Sequence, residues 1–297
     1  MKLKLYELRI GSHLPFRKNI YDTIICAIKN GMYCCQFFLG NPKGYKRQII
    51  TEKDINNVRD ILNNFNMDVF THFPYIANLN GLKAQLAWDG DKQVDDKLTY
   101  ILSQLEYELD IVSKFKNNRN ICGVVIHPGC YAETNIGLKT VAKTINKINF
   151  PKNSLLLLEN CAGEGVKLCK NFKEIKTLLD NIDKNKIKNI GVCVDTAHIW
   201  GKGDYDLRHV EDIDRMFKDF DKIIGIEFFK LLHLNDSKVQ LGSKKDRHEL
   251  LEKGEIWKYN NKSLVYLIKK CKEYKIPIIL ETEYTDMNTI HKIQKLL

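Results

Sequence analysis

Eight short runs of β character, apolar almost throughout and mostly followed by an amphipathic helical stretch, constrain this chain more than any other feature. They are "KLYELRI" (4–10), "MYCCQFF" (32–38), "MDVFTH" (67–72), "ICGVVIH" (121–127), "SLLLLE" (154–159), "IGVCVD" (190–195), "EFFKLLHL" (227–234) and "IPIILE" (276–281). Helical spacing of apolar residues follows over 19–31, 51–65, 97–115, 136–148, 171–182, 207–219, 261–274 and 286–296. Strands that are apolar on both faces belong in a parallel sheet covered by helices. Eight such units in 297 residues predict one closed (β/α)8 TIM barrel spanning 1–297 as a single domain. An open doubly wound sheet is the alternative, but no GxGxxG or GxxxxGK[ST] loop supports it.

Composition narrows the class further. Hydrophobic residues make up 44% and charged residues 28%, which argues against disorder. No apolar run reaches membrane-spanning length, and "MKLKLYELRIGSH" lacks the apolar region and cleavage site of a signal peptide. A soluble intracellular protein is expected, in cytoplasm, in the nucleus or in a viral setting. The nine cysteines form no CxxC pair and read as small buried hydrophobes in a reducing compartment. The net charge is +10, and 39 of the 47 basic residues are Lys. That balance suits a polyanionic partner, although Lys dispersed over helix surfaces accounts for it as well.

The carboxyl ends of the strands carry the chemistry. Strand three ends at His72, strand four at His127, strand five at Glu159, strand six at Asp195, strand seven near His233 and strand eight at Glu281. In a parallel barrel these ends share the face where active sites are built. His198 follows Asp195 by three residues, and Asp246 and His248 in "KKDRHE" are two apart, on one side of an extended backbone. Taken singly, Asp195 reads as a helix or turn cap and each His as a hydrogen-bonded residue. Taken together, carboxylates at an apolar mouth need compensation, and no Arg or Lys occupies these strand ends. Bound cations would supply it. Five His and four Asp/Glu without Cys make an N/O donor set that suits zinc, with manganese or iron as alternatives. Nine donors are too many for one tetrahedral zinc and fit about three.

These residues sit in stretches that resemble endonuclease IV, the zinc-dependent apurinic/apyrimidinic (AP) endonucleases of base excision repair. The matching stretches are "THFPYIANL" (71–79), "VIHPGC" (125–130), "LLLLENCAGEG" (155–165), "GVCVDTAHIWGKGDYD" (191–206), "LLHLNDSKVQLGSKKDRHELLEKGEI" (231–256) and "IILET" (278–282). The chain departs from the commonest family wording at Cys161 and Ala197, neither a ligand position. The resemblance implies that His72 and His127 hold one zinc and Asp195, His233 and Glu281 a second, with Glu159 bridging them. It implies that His198, Asp246 and His248 hold the third. It also implies DNA contacts from Lys43 in "GNPKG", where Arg is common, and from the wedge pair Tyr75 and Ile76. His13, at the end of strand one, is expected to support a ligand.

The activity so implied is hydrolysis of the phosphodiester 5′ to an abasic site in double-stranded DNA, leaving a 3′-hydroxyl and a 5′-deoxyribose phosphate. Zinc would supply the activated water, with Glu159 orienting it. A 3′-repair diesterase activity is compatible with the same chemistry, and a monomer is expected. A divalent-metal sugar isomerase or epimerase of the xylose-isomerase-like group is the alternative enzyme, but it leaves His198, Asp246 and His248 without a role. A non-catalytic DNA-binding barrel is the third reading, and the complete donor set argues against it.

Overall fold

The computed structural model describes residues 8–81, 91–259, 261–282 and 287–295. Its strands in chain order are β1 (Ile10–His13), β2 (Cys34–Phe37), β3 (Asp68–His72), β4 (Cys122–Ile126), β5 (Leu156–Glu159), β6 (Ile190–Asp195), β7 (Phe229–His233), β8 (Asp236–Ser237), β9 (His248–Glu249) and β10 (Ile278–Leu280). The helices are α1 (Ile20–Lys29), α2 (Glu52–Asn64), α3 (Asp91–Ser113), α4 (Thr134–Ile145), α5 (Phe172–Asp180), α6 (Thr196–Lys202), α7 (Val210–Ile223), α8 (Lys262–Tyr274) and α9 (Met287–Lys295). Strands β1 to β7 and β10 close into a parallel barrel in the order β1-β10-β7-β6-β5-β4-β3-β2. This is the predicted TIM barrel, and the open sheet is excluded. No described helix is long and apolar enough to cross a membrane.

Three elements differ from the sequence reading. The first strand occupies Ile10–His13 rather than 4–10, of which 4–7 lie outside the described residues. Helix α6 was not anticipated. Thr196–Gly201 are all buried, so the segment has no polar face to betray its period. Its boundaries are chemical instead: Asp195 caps the start, and Gly203 ends it at φ 84°. The antiparallel pair β8–β9, too short to leave a pattern, pairs Asp236 with Glu249 and Ser237 with His248.

Two apolar layers hold the barrel. The larger lies between the sheet and the helices and includes Ile10, Phe37, Val69, Val124, Leu158, Val194 and Leu280. The smaller plugs the barrel itself and consists of Cys34, Phe70, Val125, Leu157, Cys193, Leu231 and Ile279. All nine cysteines are free and none is fully exposed, as their placement in apolar runs suggested. Gly11 occupies the β1 position of this inner layer, where a Cβ would lie 1.6 Å from the Cys34 carbonyl oxygen. Strands β1 and β2 close only because that atom is missing. Gly11→Ala should therefore lower the unfolding free energy by about 1–3 kcal/mol. A denaturant titration reads this as a lower midpoint with an unchanged slope.

Candidate metal centre

Side chains alternate along a strand, so the residue two places beyond each inner-layer residue points the same way, one layer higher. Above Cys34, Phe70, Val125, Leu157, Cys193, Leu231 and Ile279 stand Gln36, His72, His127, Glu159, Asp195, His233 and Glu281. One apolar ring thus carries one polar ring at the carboxyl ends of the strands. Asp195 and His233 are direct register partners across β6 and β7.

Glu159, 1% exposed, is at the centre. Its Oε2 lies 3.1 Å from His72 Nε2 and 3.5 Å from His127 Nε2, and its Oε1 lies 2.9 Å from His233 Nδ1. Among the described residues, every ion pair of Glu159, Asp195, Asp246 and Glu281 is with a histidine. Four groups of donor atoms converge to within 4.8 Å: His72, His127 and Glu159; Glu159, Asp195, His233 and Glu281; Asp195, His198 and His248; and Glu159, Cys193 and His233.

The outer nitrogens of three histidines reveal what the inner ones must do. His72 Nδ1 donates to the Phe73 carbonyl at 2.7 Å and His198 Nδ1 to the Asn160 carbonyl at 2.8 Å. His233 Nε2 donates to the Gln36 side-chain oxygen at 2.9 Å. Each outer bond places the single proton of a neutral ring on that nitrogen. The inner nitrogen then presents a lone pair to a carboxylate: His72 and His233 to Glu159, and His198 Nε2 to Asp246 Oδ2 at 3.1 Å. Two acceptors face each other unless a positive charge lies between them. A second proton on the ring supplies that charge, and so does a cation. The outward N–H donation to an oxygen is the arrangement that orients metal-ligating imidazoles. His248 Nε2 adds to this: it is buried and makes no hydrogen bond of acceptable geometry, although Asp246 Oδ1 is 3.0 Å away.

Asp195 reconciles two readings the sequence set against each other. Its Oδ1 accepts the His198 backbone N–H at 2.8 Å and caps α6. Its Oδ2 faces the cluster, 3.6 Å from His248 Nε2 and 4.0 Å from His233 Nδ1. The cap is real and occupies one oxygen; the other, which also accepts from Asn235, faces the histidines. The setting of capping against metal binding as exclusive is therefore corrected.

Three amides escaped the sequence reading. Gln36 Nε2 donates to Glu281 Oε1 at 2.7 Å and to His13 Nδ1 at 3.0 Å. Asn235 Nδ2 donates to Asp195 Oδ2 at 2.6 Å and to Glu281 Oε2 at 3.0 Å. Asn160 Oδ1 accepts the Asp195 N–H at 2.7 Å. Asn160 and Asn235 sit in the quoted motifs next to candidate ligands, and Gln36 is two places past Cys34, so alternation alone would have pointed to it. His13 packs at a tilt against Phe38 with ring centroids 4.6 Å apart and reaches Glu281 through Gln36. On the rim, Lys43 is exposed, Tyr75 is 54% exposed and Ile76 46%. The Tyr75 ring packs edge-on against Phe38 at 5.0 Å and lies 5.3 Å from His72.

Without a cation the site is forced to hold protons. Burial pushes the His198 imidazole down, but Asp195 and Asp246 outweigh it and raise it to about 10. His248, buried beside the same two carboxylates, rises to about 9. Burial dominates at His127, which falls to about 4 despite Glu159. His198 and His248 are raised above their unfolded value of 6.5, so their contribution to stability is complete below pH 6.5. It is lost as pH rises through 9 to 10. Chelator-treated protein should accordingly lose unfolding free energy between pH 7 and 10. Protein supplied with divalent zinc should hold its stability over that window, because the cation replaces the protons. Thermal unfolding at pH 7, 8.5 and 10 reads the contrast.

A buried N/O cluster at the mouth of a parallel barrel defines the class, and the chain matches the family model described as "Xylose isomerase-like TIM barrel" over residues 27–297. The "probable endonuclease 4" of Mycoplasmopsis pulmonis is 33% identical over 298 residues, covering 96% of both chains. The protein of the same name from Methanosphaera stadtmanae is 31% identical over 277 residues, 92% of both. The crystal structure of endonuclease IV from Thermus thermophilus superposes with a TM-score of 0.77 over 97% of both chains at 23% identity, a likeness of fold. The chain belongs to the endonuclease IV family.

Proposed function

We propose that the protein is a zinc-dependent AP endonuclease, one catalytic domain that hydrolyses the DNA backbone 5′ to an abasic site. The observation that carries the reading is the set of imidazoles whose outer N–H is committed to an oxygen and whose inner lone pair faces a shared carboxylate. His72, His127 and Glu159 would hold one zinc, and Glu159, Asp195, His233 and Glu281 a second. His198, Asp246 and His248 would hold the third, with Asp195 close enough to share in it. Zinc held there supplies Lewis acidity toward the phosphoryl group and lowers the pKa of water toward neutrality.

The remaining work falls to the chain. Gln36, Asn160 and Asn235 fix the orientation of His233, Glu281, Asp195 and His198 through the bonds described above, so the donors are in place before substrate arrives. Lys43 would meet a phosphate. Tyr75, whose ring lies beside His72, and the neighbouring exposed Ile76 would enter the gap left by a missing base, where extrusion of the nucleotide is inexpensive. The net charge of +10 would add non-specific attraction to the duplex. A sugar isomerase would need no third group of donors, so His198 and His248 beside Asp246 favour the nuclease.

The deciding experiment is incision of a duplex bearing one synthetic abasic site. Zinc-replete protein should cut on its 5′ side, and a strong chelator should abolish the cut. Absence of cleavage by zinc-replete protein would overturn the reading. Glu159→Gln should remain folded yet lose roughly 10²–10³-fold in rate, the scale of removing one preorganised electrostatic group. Metal analysis should count three zinc ions per chain; a single manganese would favour the isomerase.

A further inference from the structure

The segment "GEGVK" (163–167), which the metal assignment leaves without a role, reaches the third group of donors from behind. Glu164 Oε1 accepts the backbone N–H of Asp246 at 2.9 Å. Its Oε2 is paired with Lys167 Nζ. Asp246 in turn touches both His198 and His248.

The surroundings explain why this contact matters. Asp246 lies on the loop between β8 and β9. That loop is tied to α6 by Gly242 N–H to the Trp200 carbonyl at 3.0 Å and Lys244 N–H to the Gly201 carbonyl at 2.8 Å. It rejoins the hairpin through Lys238 N–H to the Arg247 carbonyl at 2.9 Å. Between those ties, among the described residues, Glu164 is the side chain from another loop that bonds the Asp246 main chain. Glu164 itself stands on firm ground. Lys167 forms an antiparallel bridge with Cys130, and the Tyr131 N–H donates to the Val166 carbonyl at 2.9 Å. A carboxylate beside Asp246 adds like-charge repulsion, and the Lys167 ammonium offsets it.

We propose that Glu164, held by Lys167, is the positioning residue for Asp246. It keeps that carboxylate between His198 and His248 and thereby sets the affinity of the third cation. The inference rests on the zinc reading above and adds to it a determinant outside the donor set.

The test counts zinc rather than turnover. Zinc-replete wild type, Glu164→Ala and Glu164→Gln are equilibrated against graded chelator, and bound zinc is measured by metal analysis. Wild type should hold three zinc ions. Glu164→Ala should release one of them at a free zinc concentration about 10–100-fold higher than wild type does, keeping two. Glu164→Gln should follow wild type within about threefold, because its amide oxygen accepts the same N–H. Release of the third zinc from Glu164→Ala at the wild-type concentration would overturn the inference while leaving the zinc reading intact. Equal loss from Glu164→Gln would overturn the hydrogen-bond basis of it. Failure of wild type to hold a third zinc would overturn the zinc reading itself.

Discussion

A carboxylate sealed inside an apolar barrel, with imidazoles for company and, among the described residues, no ammonium or guanidinium paired with it, is the constraint on which the molecule turns. Glu159 stands on Leu157 and is 1% exposed. Burying an unpaired carboxylate costs several kcal/mol, so compensation has to be built into the same layer. The layer meets the need with His72, His127 and His233 around Glu159 and with Asp195, His198 and His248 beside it. Held against these carboxylates, the His198, His233 and His248 imidazoles are pushed above their usual range. A divalent cation would meet the same need, since one doubly charged ion can meet several of these donors at once.

The frame around the cluster is made of neutral amides. Gln36 and Asn235 donate to carboxylates, and Gln36, Asn160 and Asn235 accept from N–H groups, all without adding charge to a site that already holds four acids. Charged groups work one step further out. Arg47, buried on the loop between β2 and α2, donates from Nε to the Tyr45 carbonyl at 2.9 Å and from Nη2 to the Asn41 carbonyl at 3.3 Å. It also faces Glu108 of α3 across 3.5 Å. That clamp folds the loop presenting Lys43. Tyr45 Oη donates to the Ile76 carbonyl at 2.8 Å and the Tyr75 N–H to the Pro42 carbonyl at 3.2 Å, so the loops carrying the proposed DNA contacts are joined. Glu164 and Lys167 form a second such pair on the loop after β5.

Much of this was legible in one dimension. Period two in the strands converts "FTH", "VIH", "LLE", "CVD", "LLH" and "ILE" into a ring of inward polar groups as soon as the sheet is parallel. The amides were harder to read because Asn and Gln at strand ends carry no charge to raise the question of compensation. Helix α6 was hidden because burial on all sides removes amphipathic contrast. Asp195 was misjudged in one respect for a related reason: a linear reading assigns a side chain one job, whereas a carboxylate has two oxygens that can point to different partners.

The sequence by itself determined the alternation of apolar strands and helices, and with it the barrel and the face on which the six strand-end residues His72, His127, Glu159, Asp195, His233 and Glu281 gather. Local periodicity suffices for that, since it decides which way each side chain points. Only the tertiary structure decided how those residues are partitioned. Which histidine nitrogen faces inward depends on carbonyls from Phe73, Asn160 and Gln36. Whether Asp246 stays between His198 and His248 depends on Glu164, 82 residues away in the chain. Such pairings follow from barrel closure and loop packing, which bring together groups whose separation along the chain says nothing of their distance in space.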